Sequence, residues 1–111
     1  ALENGHLEKA SNAYRVVLAK DPNNAAAVSG LGWALLELGR AAQAVEQFEK
    51  SIKIKPTLGD AYIGLGSAHR QLGQLKQAYD SYDRYLGRFP KGPKASIASY
   101  QMDQLRKQLG M

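Results

Sequence analysis

Three observations predict an all-α fold in which helix-turn-helix units stack side by side as an α-solenoid and finish in a capping helix. The 111-residue chain matches itself at an offset of 34 residues, apolar positions within each period recur at helical spacing, and glycine and proline interrupt the pattern at fixed places. A period of this size means that no unit buries its apolar face alone, so each must stack on its neighbour.

The register rests on Ala10, Ala44 and Ala78, on Gly5, Gly39 and Gly73, on Tyr14, Phe48 and Tyr82, and on Pro22, Pro56 and Pro90. The pairs Gly30/Gly64, Leu31/Leu65, Gly32/Gly66 and Leu38/Leu72 add to it. Residues 1–22 match only the tail of a first helix and then a second, a partial repeat that is mostly helix B, so the chain reads as a fragment of a longer protein. In the repeat 23–56, helix A is expected from Ala25 to Leu38, with Asn24 as N-cap and Gly39 supplying a left-handed end. Helix B follows from Ala41 to Ile54, striped by Val45, Phe48 and Ile52 and stopped by Pro56. The repeat 57–90 carries helices over 58–72 and 75–88, with a turn at Gly73. The segment 92–110 is expected to begin at Gly92-Pro93, since proline is tolerated at a first helical position. Its seam is Ala98, Met102, Leu105 and Leu109, opposite Lys94, Gln101, Gln104 and Lys107. Ser99-Tyr100 stands where Leu-Gly stood, and Lys107 where the turn glycine stood, which predicts a solvating cap at the end of a single domain.

Composition narrows the chemistry. There is no cysteine, hence no disulfide, thiol nucleophile or thiolate metal site, and no apolar run approaches the roughly 20 residues of a spanning helix. The first residues, Ala1 to Gly5, show neither a basic leader nor an apolar core, so a soluble protein is expected with its compartment open, the cytoplasm ahead of the periplasm.

Val28, Leu31, Gly32, Leu35, Ala44, Phe48 and Pro56, followed by Tyr62, Leu65, Gly66, His69, Ala78, Tyr82 and Pro90, resemble the tetratricopeptide repeat pattern W-x2-L-G-x2-Y, A-x3-F, P. Val28 replaces the usual tryptophan and His69 the usual tyrosine. The resemblance implies a right-handed solenoid and a non-catalytic protein-binding module, with A helices lining a concave groove for a peptide and B helices forming the convex back. On that register the groove offers Ala26, Ser29, Trp33, Leu36 and Glu37, then Asp60, Ile63, Ser67, Arg70 and Gln71, then Lys94, Ile97, Gln101 and Gln104. The candidate partner-binding residues are Trp33, Glu37, Ile63, Ser67, Arg70, Gln71, Lys94, Ile97 and Gln101. Trp33 leads because tryptophan is enriched at interface anchors; its alternative is a ring folded against a missing upstream helix. The clamp by which some members hold chaperone carboxylate tails would occupy Ser29, Gly30, Trp33, Ile63, Gly64 and Ser67, and its lysine, asparagine and arginine are absent. The expected ligand is an apolar peptide with some acidic character.

Catalysis finds no support. His6 and His69 sit in different repeats without a second histidine at helical spacing, so no metal or cofactor is expected. His69 reads as a packing residue with a hydrogen-bonded ring nitrogen. Ser67 lies on another helical face from His69, and no acidic residue completes a triad. The strings Gly30-Leu31-Gly32 and Gly64-Leu65-Gly66 follow no strand, which removes a dinucleotide loop. Gly32 and Gly66 serve packing between helices; for Gly30 and Gly64, approach of a ligand backbone and tight curvature between A helices both stay open. Tyr82 and Tyr85 read as core, with Tyr79 and Tyr100 unassigned.

The net charge of +5 lies toward the C-terminal half, in Arg84, Arg88, Lys91, Lys94, Arg106 and Lys107. Interspersed Asp80, Asp83 and Asp103 make this mostly a solvated surface, so a nucleic acid partner is disfavoured, and no small-molecule substrate is expected. The alternative function is self-assembly, through the face of Leu7, Ala10 and Tyr14 that the partial repeat leaves without a partner helix.

Overall fold

The structure, a computed structural model, describes residues 2–111, with side chains from Asn4 onward. Ala1 and the side chains of Leu2 and Glu3, which open the partial repeat, lie outside the described residues. Six helices follow one another: α1 Leu2–Lys20, α2 Ala25–Glu37, α3 Ala41–Ile54, α4 Gly59–Gln71, α5 Leu75–Arg88 and α6 Ala95–Leu109, with no strand among the described residues. Each helix packs on the next, and α2 also reaches α4, giving an all-α helical repeat solenoid of 43 × 31 × 20 Å.

Local chemistry fixes the ends. The Asn24 side chain accepts from the Ala27 N–H at 3.0 Å, which starts α2 where the sequence predicts. Gly39 and Gly73 take φ of 80° and 73°, and the following N–H groups of Arg40 and Gln74 close back onto Leu35 and His69 carbonyls at 2.8 and 2.9 Å. A side chain would be strained at either glycine. Gly5 departs from the register: it lies inside α1 and not at a turn.

α6 departs from expectation at its start. The backbone N–H of Lys94 donates to the Tyr85 hydroxyl at 2.9 Å, and that of Ala95 to the Gly92 carbonyl at 3.1 Å. Gly92, Pro93 and Lys94 therefore form a turn hooked onto α5, and the helix begins at Ala95 rather than at Pro93. It runs through Lys107 and ends at Gly110, whose φ of 73° makes a left-handed cap.

Rings seated on glycines hold the units together. Phe48 is fully buried, edge-on to Trp33 at 5.4 Å, and a Cβ on either Gly32 or Gly64 would come closer than 3.0 Å to its ring. A Cβ on Gly30 would meet the Tyr14 ring, and one on Gly66 the Tyr82 ring, just as closely. Gly32 and Gly66 thus receive the ring of their own unit. Gly30 and Gly64 receive the ring of the preceding unit. Ala98 stands at the equivalent place in α6 and is fully buried. Burying rings of this size stabilises the stack by roughly 1.5–3 kcal/mol each.

Polar ties sit between the seats. Buried Ser51 donates its hydroxyl to the Ala25 carbonyl at 2.9 Å, pinning the end of α3 to the start of α2. Tyr62 donates to the Pro56 carbonyl at 2.8 Å. Tyr82 and Tyr85 lie in the core as expected. Tyr79, left unassigned by sequence, is half-buried and accepts from Arg106 on α6 at 3.1 Å. That bond, helped by Asp103, raises the already high pKa of the guanidinium. Tyr100 is 61% exposed. Among the described residues no helix is long and apolar enough to cross a membrane.

Candidate functional site

Five of the nine nominated residues, carried on α4, on α6 and on the turn before α6, line two clefts. Ser67, Arg70, Gln71 and Gln101 surround one of about 310 Å³, with Tyr82 completing the wall. The Ser67 and Tyr82 hydroxyls share a hydrogen bond at 3.3 Å, and the Arg70 guanidinium donates to the Gln101 carbonyl oxygen, which joins α4 to α6. Among the described residues Arg70 has no carboxylate partner, so its charge is available to a ligand.

Trp33 is half-buried and turned downstream. Its ring packs on Phe48 and its Nε1–H donates to the Asp60 carboxylate at 2.8 Å, linking α2 to α4. The ring is therefore anchored downstream, against the core and Asp60, and is only partly exposed.

Asp60 and Lys94 line the second cleft, of about 260 Å³, together with Thr57, Gly59, Tyr85, Phe89 and Pro93. Its rings are fixed in place: Phe89 packs on Tyr85 at 5.1 Å and edge-on to Tyr62 at 6.2 Å, while the Tyr85 hydroxyl accepts from the Lys94 N–H.

The other nominated residues fall outside both clefts. Ile63 is only 6% exposed and belongs to the core, since its face of α4 is covered by packing. Glu37 is exposed near the end of α2, and Ile97 is 45% exposed on α6. Sequence reasoning missed Tyr82 as a wall of the first cleft and Phe89 in the second. Phe89 carried a usable signal, because the register pairs it with Lys55, an exposed charge.

A third and larger cleft, about 650 Å³, opens between the second helices, lined by Ile52, Pro56, Tyr62, Arg84, Gly87 and Arg88. Arg84 there pairs with Glu49 at 3.1 Å and lies over the Tyr62 ring at 5.4 Å. His69 takes the expected packing role, its Nδ1 lying 2.7 Å from the Gln74 side-chain oxygen. Among the described residues no group of three His, Cys, Asp or Glu side chains could hold a metal ion.

Two tetratricopeptide repeat family models match the chain, one over residues 1–58 and the other over 35–98. The chain belongs to the tetratricopeptide repeat (TPR) family. The Hsp70-Hsp90 organizing protein of Triticum aestivum is 31% identical over 100 residues, which is 88% of this chain and 17% of that protein. Among solved structures, the first TPR of Spaghetti (RPAP3) bound to the HSP90 peptide SRMEEVD superposes with a TM-score of 0.87 at 21% identity, covering 99% of this chain and 85% of that one. The Arabidopsis OM64 TPR domain gives 0.84 at 27%, covering 97% and 87%. The chain spans less than a fifth of the length of the curated relatives it matches.

Proposed function

We propose that this chain is a non-catalytic interaction module that holds a peptide segment of a partner protein along α2, α4 and α6. The observation that carries the reading is the meeting of Ser67, Arg70, Gln71 and Gln101 around one cleft, with the partly exposed Trp33 bonded to Asp60 of the other. A guanidinium bonded only to the neutral Gln101 side chain among the described residues suits an acidic side chain, and the Trp33 ring suits an apolar one. The similar fold of the peptide-bound Spaghetti domain supports a peptide as the ligand class. The mode of grip would differ from a carboxylate clamp. Ser29, Trp33, Ile63 and Ser67 provide no basic group, and the rings of Tyr14 and Phe48 take the space beside Gly30 and Gly64. Residues 23–56 and 57–90 would be its full repeats, 1–22 a partial one and 92–110 the cap.

An unbiased pull-down with the chain as bait tests this. Partners captured by the native chain should be lost with Trp33→Ala and with Arg70→Glu, the second of which removes no packing; undiminished capture by both variants contradicts the assignment.

A second reading, self-association through α1, is favoured by one comparison. Ala10 and Tyr14 are half-buried, whereas their counterparts Ala44 and Phe48 are fully buried, and Val17 is 41% exposed against a fully buried Ser51. Sedimentation that stays monomeric across concentrations removes it.

A further inference from the structure

We infer that the second cleft is a specificity pocket for one apolar side chain of the bound peptide, and that the peptide carries an acidic side chain three to five residues away for Arg70. This rests on the peptide-groove reading above and adds to it the sequence character of the ligand.

The cleft is built rather than incidental. A Cβ on Gly59 would come within 3.0 Å of the Tyr85 ring, and one on Gly92 within 2.8 Å of Phe89 Cβ, so these glycines keep the backbone on both sides of the rings. Tyr85 is held from two directions, by Phe89 and by the N–H of Lys94. A pocket whose walls are already locked loses little conformational freedom when filled. Sites for drug-sized molecules run from roughly 300 Å³ upward, and this one, at about 260 Å³, suits a single side chain. Its lining includes the Tyr85 and Phe89 rings, together with Asp60 on the first turn of α4 and Lys94 in the turn just before α6. The lining thus carries one charge of each sign, and the Asp60 carboxylate is held in place by its bond from Trp33.

Spacing follows from helix geometry. Ser67 and Arg70 stand seven and ten positions beyond Asp60 on the same helix, α4. At ~1.5 Å per residue this separates the two clefts by about 10–15 Å. An extended peptide advances ~3.3 Å per residue and covers that span in about three to five residues. The ligand is thus an extended segment with Leu, Ile, Met or Phe separated by that interval from Asp or Glu, in either chain direction.

A phage-displayed library of random 12-residue peptides, selected against the immobilised full chain, tests the inference. Enriched peptides should share the apolar and acidic pair at that interval. For one such peptide, labelled and followed by fluorescence polarisation, Thr57→Trp should weaken binding at least tenfold by filling the cleft from its exposed rim. Phe89→Leu, which alters the pocket's shape while keeping an apolar wall, should weaken it severalfold. Replacing the peptide's apolar residue by alanine should abolish the effect of both variants, and Arg70→Gln should act only when the acidic residue is present. Peptides that lack the pair and bind Thr57→Trp and Phe89→Leu normally, yet are lost with Trp33→Ala, overturn the pocket and leave the groove intact. A selection that yields no peptide, or only peptides indifferent to Trp33→Ala and Arg70→Gln, overturns the groove reading and this inference with it.

Discussion

Replacing Gly64 by alanine sets two effects of opposite sign against each other. Inside a helix, alanine is favoured over glycine by roughly 1 kcal/mol, so an unobstructed site gains about that much. At Gly64 the new methyl would come closer than 3.0 Å to three carbons of the Phe48 ring. That ring cannot retreat, because Gly32 confines it from the other side and Trp33 abuts its edge at 5.4 Å. Overpacking of this kind costs about 1–3 kcal/mol, and three close contacts on a confined ring put it near the top of the range. The net expectation is a loss of about 2 kcal/mol, or roughly 8 °C in Tm at about 4 °C per kcal/mol for a chain of this size. Gly87 is the internal control: it also lies in a helix, but nothing stands within 4 Å of a Cβ there. Gly87→Ala should therefore stabilise by about 0.5–1 kcal/mol. Urea unfolding of both variants, with unchanged m-values, measures the contrast. If Gly64→Ala were as stabilising as Gly87→Ala, the ring-in-seat account of how the units stack would be wrong.

Other outcomes follow from single contacts. Ser51→Ala should lose about 1 kcal/mol with the buried bond to the Ala25 carbonyl, whereas Ser29→Ala should be neutral or stabilising, because its buried hydroxyl has no partner; chemical denaturation separates the two. Asn24→Ala should destabilise by about 1 kcal/mol through loss of the N-cap of α2, read as a lower midpoint with less helical dichroism. Trp33 is the sole tryptophan, so its emission should shift when a peptide fills the groove, and Trp33→Phe should bind more weakly after losing the bond to Asp60 while keeping a ring against Phe48.

The sequence revealed the stack well because its determinants are local and repeated. Helices α3 and α5 fall where the stripes of Val45, Phe48 and Ile52 and their counterparts place them, since proline and glycine end them through backbone geometry alone. The start of α6 was not legible, because it depends on a hydroxyl from Tyr85, a residue on another helix. The ring seats at Gly30 and Gly64 were not legible for a related reason: the ring beside each glycine belongs to the preceding unit, and periodicity shows where a glycine recurs but not what fills the space beside it. At the candidate site, the repeat register was enough to nominate Ser67, Arg70, Gln71 and Gln101, which line one cleft. Ile63, nominated from the same helix, is buried while its register counterpart Ile97 is exposed, since exposure at a repeat position depends on neighbouring side chains. The cleft around Phe89 lies at a loop, where the repeat pattern specifies least.

Amide spectra of the isotopically labelled chain, recorded while a captured partner peptide is titrated in, test the central claim most directly. Binding along the first helices predicts shifts at Trp33, Ser67, Arg70 and Gln101, with the exposed amides of α3 and α5 unchanged. Shifts gathered instead around Arg84, Gly87 and Arg88 would place recognition on the opposite face and contradict the account.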